Sequence, residues 1–363
     1  MLVASCGFSQ KTFAQQANTQ GLHLTRDKDG RVVAVEYNGV SGLGNARLHK
    51  FPHLKSVRIV YGTELTPEDV AYLSTLKNLV EIEMGFAGVS GEFVTIEGDL
   101  SMLAELKSLE TFRLCKYKMK DEDLEFVASL PRITYLEFNA DTNPDEEGPT
   151  ATDRCADNLS RATTLRDICI YGGGKFTDKF VSKVTQGLPD LEHLDLYSDE
   201  LTDESLRLLA KRCRKLKWLN IDSKGFTDEG VKHLAHAKNL EMLWLDSDSL
   251  SPECVKSVAG LKRLRHLELT VPSIEDEGVH VLANLRQLEI LALRRPALTD
   301  KQFAMFRNHP TLESAFINGS KLSEEEVVKV IGTLPKLGHL EVGSNNSLQI
   351  AVNQALTRRQ ASR

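Results

Sequence analysis

Leu216-Lys217-Trp218-Leu219-Asn220-Ile221 carries leucine or isoleucine at the first, fourth and sixth positions of a six-residue window. The same L-x-x-L-x-L window opens earlier at Leu54, Leu79, Leu109, Ile133, Leu165 and Leu191, and later at Leu240, Leu264, Leu288, Leu312 and Leu337. Successive windows start 24 to 32 residues apart. The sixth position is apolar in all twelve, and the fourth is large and apolar in all but one, where Ala315 stands. A fixed period of this size marks a repeat protein. It overrides the two or three domains that 363 residues would otherwise suggest.

Outward from the window, each repeat has a second half. Leu201-Thr202-Asp203-Glu204, Phe226-Thr227-Asp228-Glu229, Leu298-Thr299-Asp300-Lys301 and Leu322-Ser323-Glu324-Glu325 read as helix starts. The Thr or Ser oxygen accepts from an orphan backbone N–H, and the acids that follow suit the helix dipole. Thr66-Pro67 and Ser251-Pro252 place proline where its missing N–H costs nothing. Apolar residues then recur at helical spacing, as in Leu206, Leu209 and Ala210. Each unit is therefore one short strand plus one helix. No unit buries its apolar face alone, so the units must stack.

This pattern resembles the leucine-rich repeat family over about residues 48–345. The T-D-E-x-L start and the 24–26 period are similar to the helix-bearing types: F-box-type, ribonuclease-inhibitor-like and bacterial repeats. The resemblance implies an α/β fold, a right-handed solenoid or horseshoe with a parallel concave sheet and convex helices. One departure stands out. The family's frequent Asn after the strand is absent, and those places hold Asp199, Lys224, Asp248 and Pro296. The turn backbone must find its hydrogen bonds another way.

The flanks complete the division. Residues 21–47 are expected to cap the solenoid as a β-hairpin, two alternating runs around Arg26-Asp27-Lys28-Asp29-Gly30. Val32, Val35 and Tyr37 then imitate a degenerate first repeat strand. This hairpin resembles the leader of exported bacterial leucine-rich repeat proteins. Residues 346–363 hold a short capping helix over 348–356 and a frayed basic tail from Arg358. Residues 1–20 are open to two readings, a flexible terminus without meaning or the remnant of a signal. On the second, Met1 is a misassigned start. Val3-Ala4-Ser5-Cys6 then resembles the end of a lipoprotein signal, with a lipid anchor on Cys6, and Thr12-Phe13-Ala14-Gln15 the end of an ordinary one. Both resemblances favour an exported or envelope location over the cytoplasm.

Composition narrows the function classes. Apolar residues make up 41% and charged residues 26%, as in a globular chain. Net charge is 45 − 51 = −6, which disfavours a general nucleic-acid binder. No run approaches the ~20 apolar residues of a membrane span. Six cysteines, Cys6, Cys115, Cys155, Cys169, Cys213 and Cys254, form no CxxC pair, so unpaired thiols are expected. Two repeats are long, with extra sequence around 85–99 and at 141–149, either tolerated surface loops or the frame of a binding surface.

Alternation along each strand sends the fourth and sixth residues inward and the third, fifth and seventh outward. In parallel strands these become columns. The third-position column includes His193, Trp218, Met242 and His266; the fifth includes Asp195, Trp244 and Glu268. The seventh includes Tyr171, Tyr197, Asp222, Asp246 and Arg294. Both tryptophans of the chain stand on neighbouring strands. Exposed Trp, Tyr and Met in one patch are the material of protein interfaces, and the acids suit a cationic protein or peptide. Cross-strand packing alone is the competing account, and the two are compatible. An intracellular adaptor, like the substrate-receptor arm of a ubiquitin ligase, is the second functional reading, since residues 203–219 resemble those repeats.

Catalytic and cofactor signals are weak. Gly172-Gly173-Gly174-Lys175-Phe176-Thr177 lacks the first glycine and the Ser/Thr of a phosphate loop and reads as a strand-to-helix turn. His233 and His236 lack an HExxH pattern, so no metal or other cofactor is expected. Lys211-Arg212, Arg214, Lys215 and Lys217 form a basic run on the convex side, with an anionic ligand as the minor alternative. Acid pairs such as Asp195 and Asp222 should lie wet on an open sheet, where little raises a pKa. The expectation is a non-enzymatic scaffold.

Overall fold

The computed structural model describes residues 22–37, 43–60, 65–86, 96, 99–140, 150–172, 175–343 and 345–361. The signal-like residues 1–20, the insertion 141–149, most of the insertion around 85–99, and Gly173 with Gly174 lie outside the described residues. The chain divides into two compact units. The first runs to Tyr117 and includes Ser129–Ile133; the second comprises Lys118–Ala128 and Thr134 onward.

The first unit opens on the expected hairpin. β1 (Leu22–Arg26) pairs antiparallel with β2 (Val32–Tyr37), Leu22 facing Tyr37. Gly30 closes the turn at φ 78°, a left-handed backbone that suits glycine, and its N–H donates to the Asp27 carbonyl at 3.0 Å. β2 then pairs parallel with β3 (Ser56–Val60), setting Val35 beside Val57, so the hairpin's second strand does act as a first repeat strand. α1 (Pro67–Thr75) starts on a capping box: Asp69 N–H donates to Thr66 Oγ1, and the Asp69 carboxylate accepts from Thr66 N–H. β4 (Glu81–Phe86) and β5 (Thr111–Lys118) continue the parallel order.

The second unit repeats strand and helix. Its elements are β6 (Tyr135–Asn139), α2 (Ala156–Leu159), β7 (Asp167–Tyr171), α3 (Asp178–Gly187), β8 (His193–Tyr197) and α4 (Asp203–Arg212). They continue with β9 (Trp218–Asp222), α5 (Asp228–Leu234), β10 (Met242–Asp246), α6 (Cys254–Ser257), β11 (His266–Thr270) and α7 (Asp276–Ala283). The last are β12 (Ile290–Ala297), α8 (Asp300–Ala304), β13 (Ser314–Asn318), α9 (Glu324–Thr333), β14 (His339–Glu341) and α10 (Asn346–Ala361). β6 to β14 pair in parallel, each with the next. The pairing aligns the fourth positions, Ile168, Leu194, Leu219, Leu243, Leu267 and Leu291, each at most 1% exposed. Each such side chain contributes about 1.5–3 kcal/mol by leaving water.

The missing Asn has two substitutes. After three strands a buried serine bonds back to the previous repeat: Ser198 Oγ donates to Phe176 O, Ser223 Oγ to Leu201 O and Ser247 Oγ to Phe226 O, at 2.7–2.8 Å. At the helix starts, one aspartate per repeat accepts from the next repeat's cap. Asp153 takes the N–H and hydroxyl of Thr177, Asp203 those of Thr227, Asp228 those of Ser251 and Asp300 those of Ser323, at 2.5–2.9 Å. The Thr-Asp pair therefore caps its own helix and ties it to the next.

Three local expectations change. Two repeats carry 3-10 turns in place of an α-helix, Leu100–Glu105 and Glu122–Ser129. Pro252 does not open a helix; it lies in a turn, and α6 starts two residues later at Cys254. The C-terminal helix is longer than the 348–356 read from the sequence. Its basic end is not frayed up to Ala361, because Arg359 Nη1 reaches the Leu334 carbonyl and holds the last turns down. Cys155, Cys213 and Cys254 are buried free thiols. Burial pushes Cys213 and Cys254 up to about 12, which suppresses the reactive thiolate. No helix among the described residues is long and apolar enough to cross a membrane.

Candidate functional site

The register of β7 to β12 builds the outward columns of the second unit. In the third-position column, Asp167, His193, Trp218, Met242, His266 and Ile290 stand side by side. In the fifth, Cys169 is followed by Asp195, Asn220, Trp244, Glu268 and Ala292. In the seventh, Tyr197, Asp222 and Asp246 are neighbours, and Thr270 sits beside Arg294. Tyr171, at the same position of β7, is paired with Asn139 of β6.

The columns are drier than the alternation alone implies. Met242 is 3% exposed, Glu268 7% and Asp195 9%, so these outward side chains are buried by their column neighbours. Trp218, Trp244, His193, His266, Asp222 and Asp246 are half-buried, and Tyr197 is exposed. The picture of Met242 as a wet interface residue is corrected: it is buried between its column neighbours Trp218 and His266. Some of the aromatic surface does engage neighbours. The His193 and Trp218 rings lie 6.0 Å apart, tilted by 59°. The Arg294 guanidinium lies 5.6 Å from the Trp244 ring centre, a cation–π contact. The buried Trp218 Nε1 has no hydrogen-bond partner among the described residues.

Burial also changes the acids. Asp195 is pushed up to about 6, chiefly by desolvation, against the opposing bond from Asn220 Nδ2 at 3.0 Å. Glu137 adds repulsion. Asp222 is pushed up to about 7, first by desolvation and then by Asp246, Asp199 and Asp248, with Lys224 opposing. The expectation that water would leave these carboxyls near their usual range is therefore overturned. Crowded side chains, not the sheet's openness, set the local dielectric. Desolvation raises Glu268 as well, and Arg294, paired with it, pulls the other way. Burial lowers the His266 imidazole and raises the Tyr197 phenol.

Lys224 pairs with Asp199 and Arg295 with Asp248 at the rim. Asp195, Asp222 and Asp246 have no cationic partner within ion-pair distance among the described residues. No group of three or more His, Cys, Asp or Glu among the described residues is placed to hold a metal ion. Phe176 of the phosphate-loop-like stretch is buried, and Thr177 caps α3, donating to Asp153.

The sequence reading passed over an outward ladder in the first unit. Glu36, Arg58, Glu83 and Arg113 share the fifth-position column there. Arg58 Nε meets Glu83 Oε2 at 2.6 Å, Arg113 Nη1 meets Glu83 Oε1 at 2.5 Å, and Arg58 Nη1 lies 3.7 Å from Glu36. Its signal was available: alternating charge at one repeat position.

No family model matches the chain. Among solved structures it is similar to an internalin (inlF) from Listeria monocytogenes, with 19% identity and a TM-score of 0.54, covering 89% of this chain and 84% of that one. A leucine-rich repeat protein of Leptospira interrogans matches at 16% identity and TM-score 0.45, over 84% and 83% of the two chains. A plant peptide hormone receptor, RGFR1, solved in complex with RGF2, matches at 15% identity and TM-score 0.43. This chain spans 60% of that receptor, and 90% of this chain is covered. The parallel strands in sequence order, the helices between them and the internalin likeness together establish that this chain has the leucine-rich repeat fold.

Proposed function

We propose that the second unit is a non-catalytic scaffold that holds a protein or peptide on the outward face of β8 to β12. The observation that carries this reading is the pairing of two half-buried tryptophans on adjacent strands with carboxylates that have no cation of their own. Trp218 and Trp244 offer rigid apolar area, and such residues dominate binding energy at interfaces. Burial holds Asp195 of the fifth-position column and Asp222 of the seventh at a cost, and Asp246 stands beside Asp222. A partner's lysine or arginine would relieve that cost, so the occupant is cationic at the point of contact. His193, Met242 and His266 shape the floor, and Tyr197, Glu268 and Arg294 mark the edges. Tyr171 extends the surface toward β6. An exported or envelope setting, with or without a lipid on Cys6, remains part of this proposal.

The test is affinity capture from the source cells with the unaltered chain and a Trp218→Ala/Trp244→Ala variant side by side, circular dichroism confirming that both fold. The expected result is a partner held by the first, lost by the second and released as salt is raised, because exposed charges are screened. Equal capture by both would move the site elsewhere.

A further inference from the structure

A second surface feature lies on the opposite, helical side of the second unit. Arg207, Ala210 and Lys211 of α4, Arg214 just beyond it, and His233 and His236 from α5 and its end line one cleft of about 280 Å³. Arg207, Ala210 and Lys211 fall at i, i+3 and i+4, so one face of α4 presents them together. Ala210 is buried and forms an apolar floor. No aspartate or glutamate lines the cleft. The chain as a whole is acidic, at −6, so this is a local reversal of charge.

The helix dipole does not account for it. Basic residues in the last turn of α4 are favoured by the dipole, and that explains Lys211 and Arg212. Arg212 has a structural task as well: its Nη1 donates to Ser182 O at 2.8 Å. Arg207 is clamped by Glu204, at 2.6 Å for Nε and 2.5 Å for Nη2. Lys211 and Arg214 are different. Neither has a carboxylate within ion-pair distance among the described residues, and Arg214 lies past the helix end. His233 and His236 arrive from a neighbouring helix. Two elements thus deliver cations and imidazoles to one concavity and leave out every acid.

We propose that this cleft is a binding site for a small soluble ligand bearing a phosphate or diphosphate group. Arg214 supplies the planar fork that matches two phosphate oxygens, and Lys211, three residues before it, a compact charge. His233 and His236 supply ring nitrogens as donors, and the Ala210 floor receives an apolar part of the ligand. The site is separate from the surface proposed for the protein partner and stands or falls independently of it.

The probe is inorganic pyrophosphate, titrated calorimetrically into the full chain at low ionic strength. The expected result is saturable binding at one site. Lys211→Gln/Arg214→Gln is expected to weaken it at least about ten-fold, the scale of one charge-assisted hydrogen bond. His233→Gln/His236→Gln is expected to cost about three-fold, less than the loss of the lysine and the arginine. Lys215→Gln/Lys217→Gln, outside the cleft, should leave binding unchanged. Absence of saturation, equal binding by the Lys211→Gln/Arg214→Gln variant, or an equal loss in the Lys215→Gln/Lys217→Gln control would each overturn the proposal. Melting curves of all variants guard against misfolding, as these side chains lie on the surface and should not shift them.

Discussion

The two units use the same strand position in opposite ways. In the first, the fifth-position column alternates Glu36, Arg58, Glu83 and Arg113, and every carboxylate meets a guanidinium. Glu83 is 2% exposed and shared between two arginines. In the second, the same column runs Asp195, Asn220, Trp244 and Glu268, and only Glu268 is answered by an arginine from a neighbouring strand. A column that neutralises itself is finished as it stands. A column that buries Asp195 without a cation carries a cost that folding alone does not remove, and that is where a partner has something to offer.

The largest effect should come from breaking the finished column. Glu83→Gln leaves Arg58 and Arg113 without their shared anion, and the expected loss is about 3–5 kcal/mol, read as a lowered midpoint in urea. Replacing Arg58, Glu83 and Arg113 together by methionine should recover most of that loss, because the buried Glu83 and both arginines are removed and only the partly exposed Glu36 loses a partner.

The next effect lies at Glu268, the acid of the second unit's fifth-position column that an arginine meets. Arg294→Met removes the partner of Glu268 and the cation over Trp244 together. A loss of about 2–3 kcal/mol is expected at neutral pH, shrinking in acid as Glu268 takes up a proton. The fluorescence of Trp244 should change with it.

A smaller effect separates the units by pH. Folded Asp195 and Asp222 titrate at about 6 and about 7, above the ordinary 3.8 of the unfolded chain. The folded state therefore holds protons that the unfolded state has released. The stability these groups contribute is full below about pH 4 and is lost as pH rises through 6 and then 7. Asp195→Asn/Asp222→Asn should raise the melting temperature at pH 8 by a few degrees and leave it nearly unchanged at pH 4. An unaltered pH profile in that variant would mean the column is not strained. The smallest change is expected from Ser223→Ala, which leaves the Leu201 carbonyl unpaired at a cost of about 1 kcal/mol.

Much of the site was readable in advance because strand alternation and a fixed repeat leave little freedom. Trp218 beside Met242 beside His266, and Asp195 beside Asn220 beside Trp244, follow from counting. What counting missed is instructive. No local periodicity marks Ser198, Ser223 and Ser247, yet they are the buried donors that replace the absent Asn. The aspartates of the Thr-Asp starts were read as dipole partners within one helix, but their main bonds cross to the next repeat. The charge ladder of the first unit shows only when Glu36, Arg58, Glu83 and Arg113 are set side by side in one register.

The amino-acid sequence by itself determined the repeat, the strand–helix alternation, the inward and outward faces and the order of residues in each column. Those follow from local periodicity, which survives whatever the neighbours do. Only the tertiary structure decided how dry each outward side chain is, which charges meet, and that Lys211, Arg214, His233 and His236 share a cleft. These depend on distances between residues 19 to 47 positions apart, from Arg214 and His233 to Asp248 and Arg295. Electrostatic energy varies with separation and with the surrounding dielectric, and neither is written in a spacing.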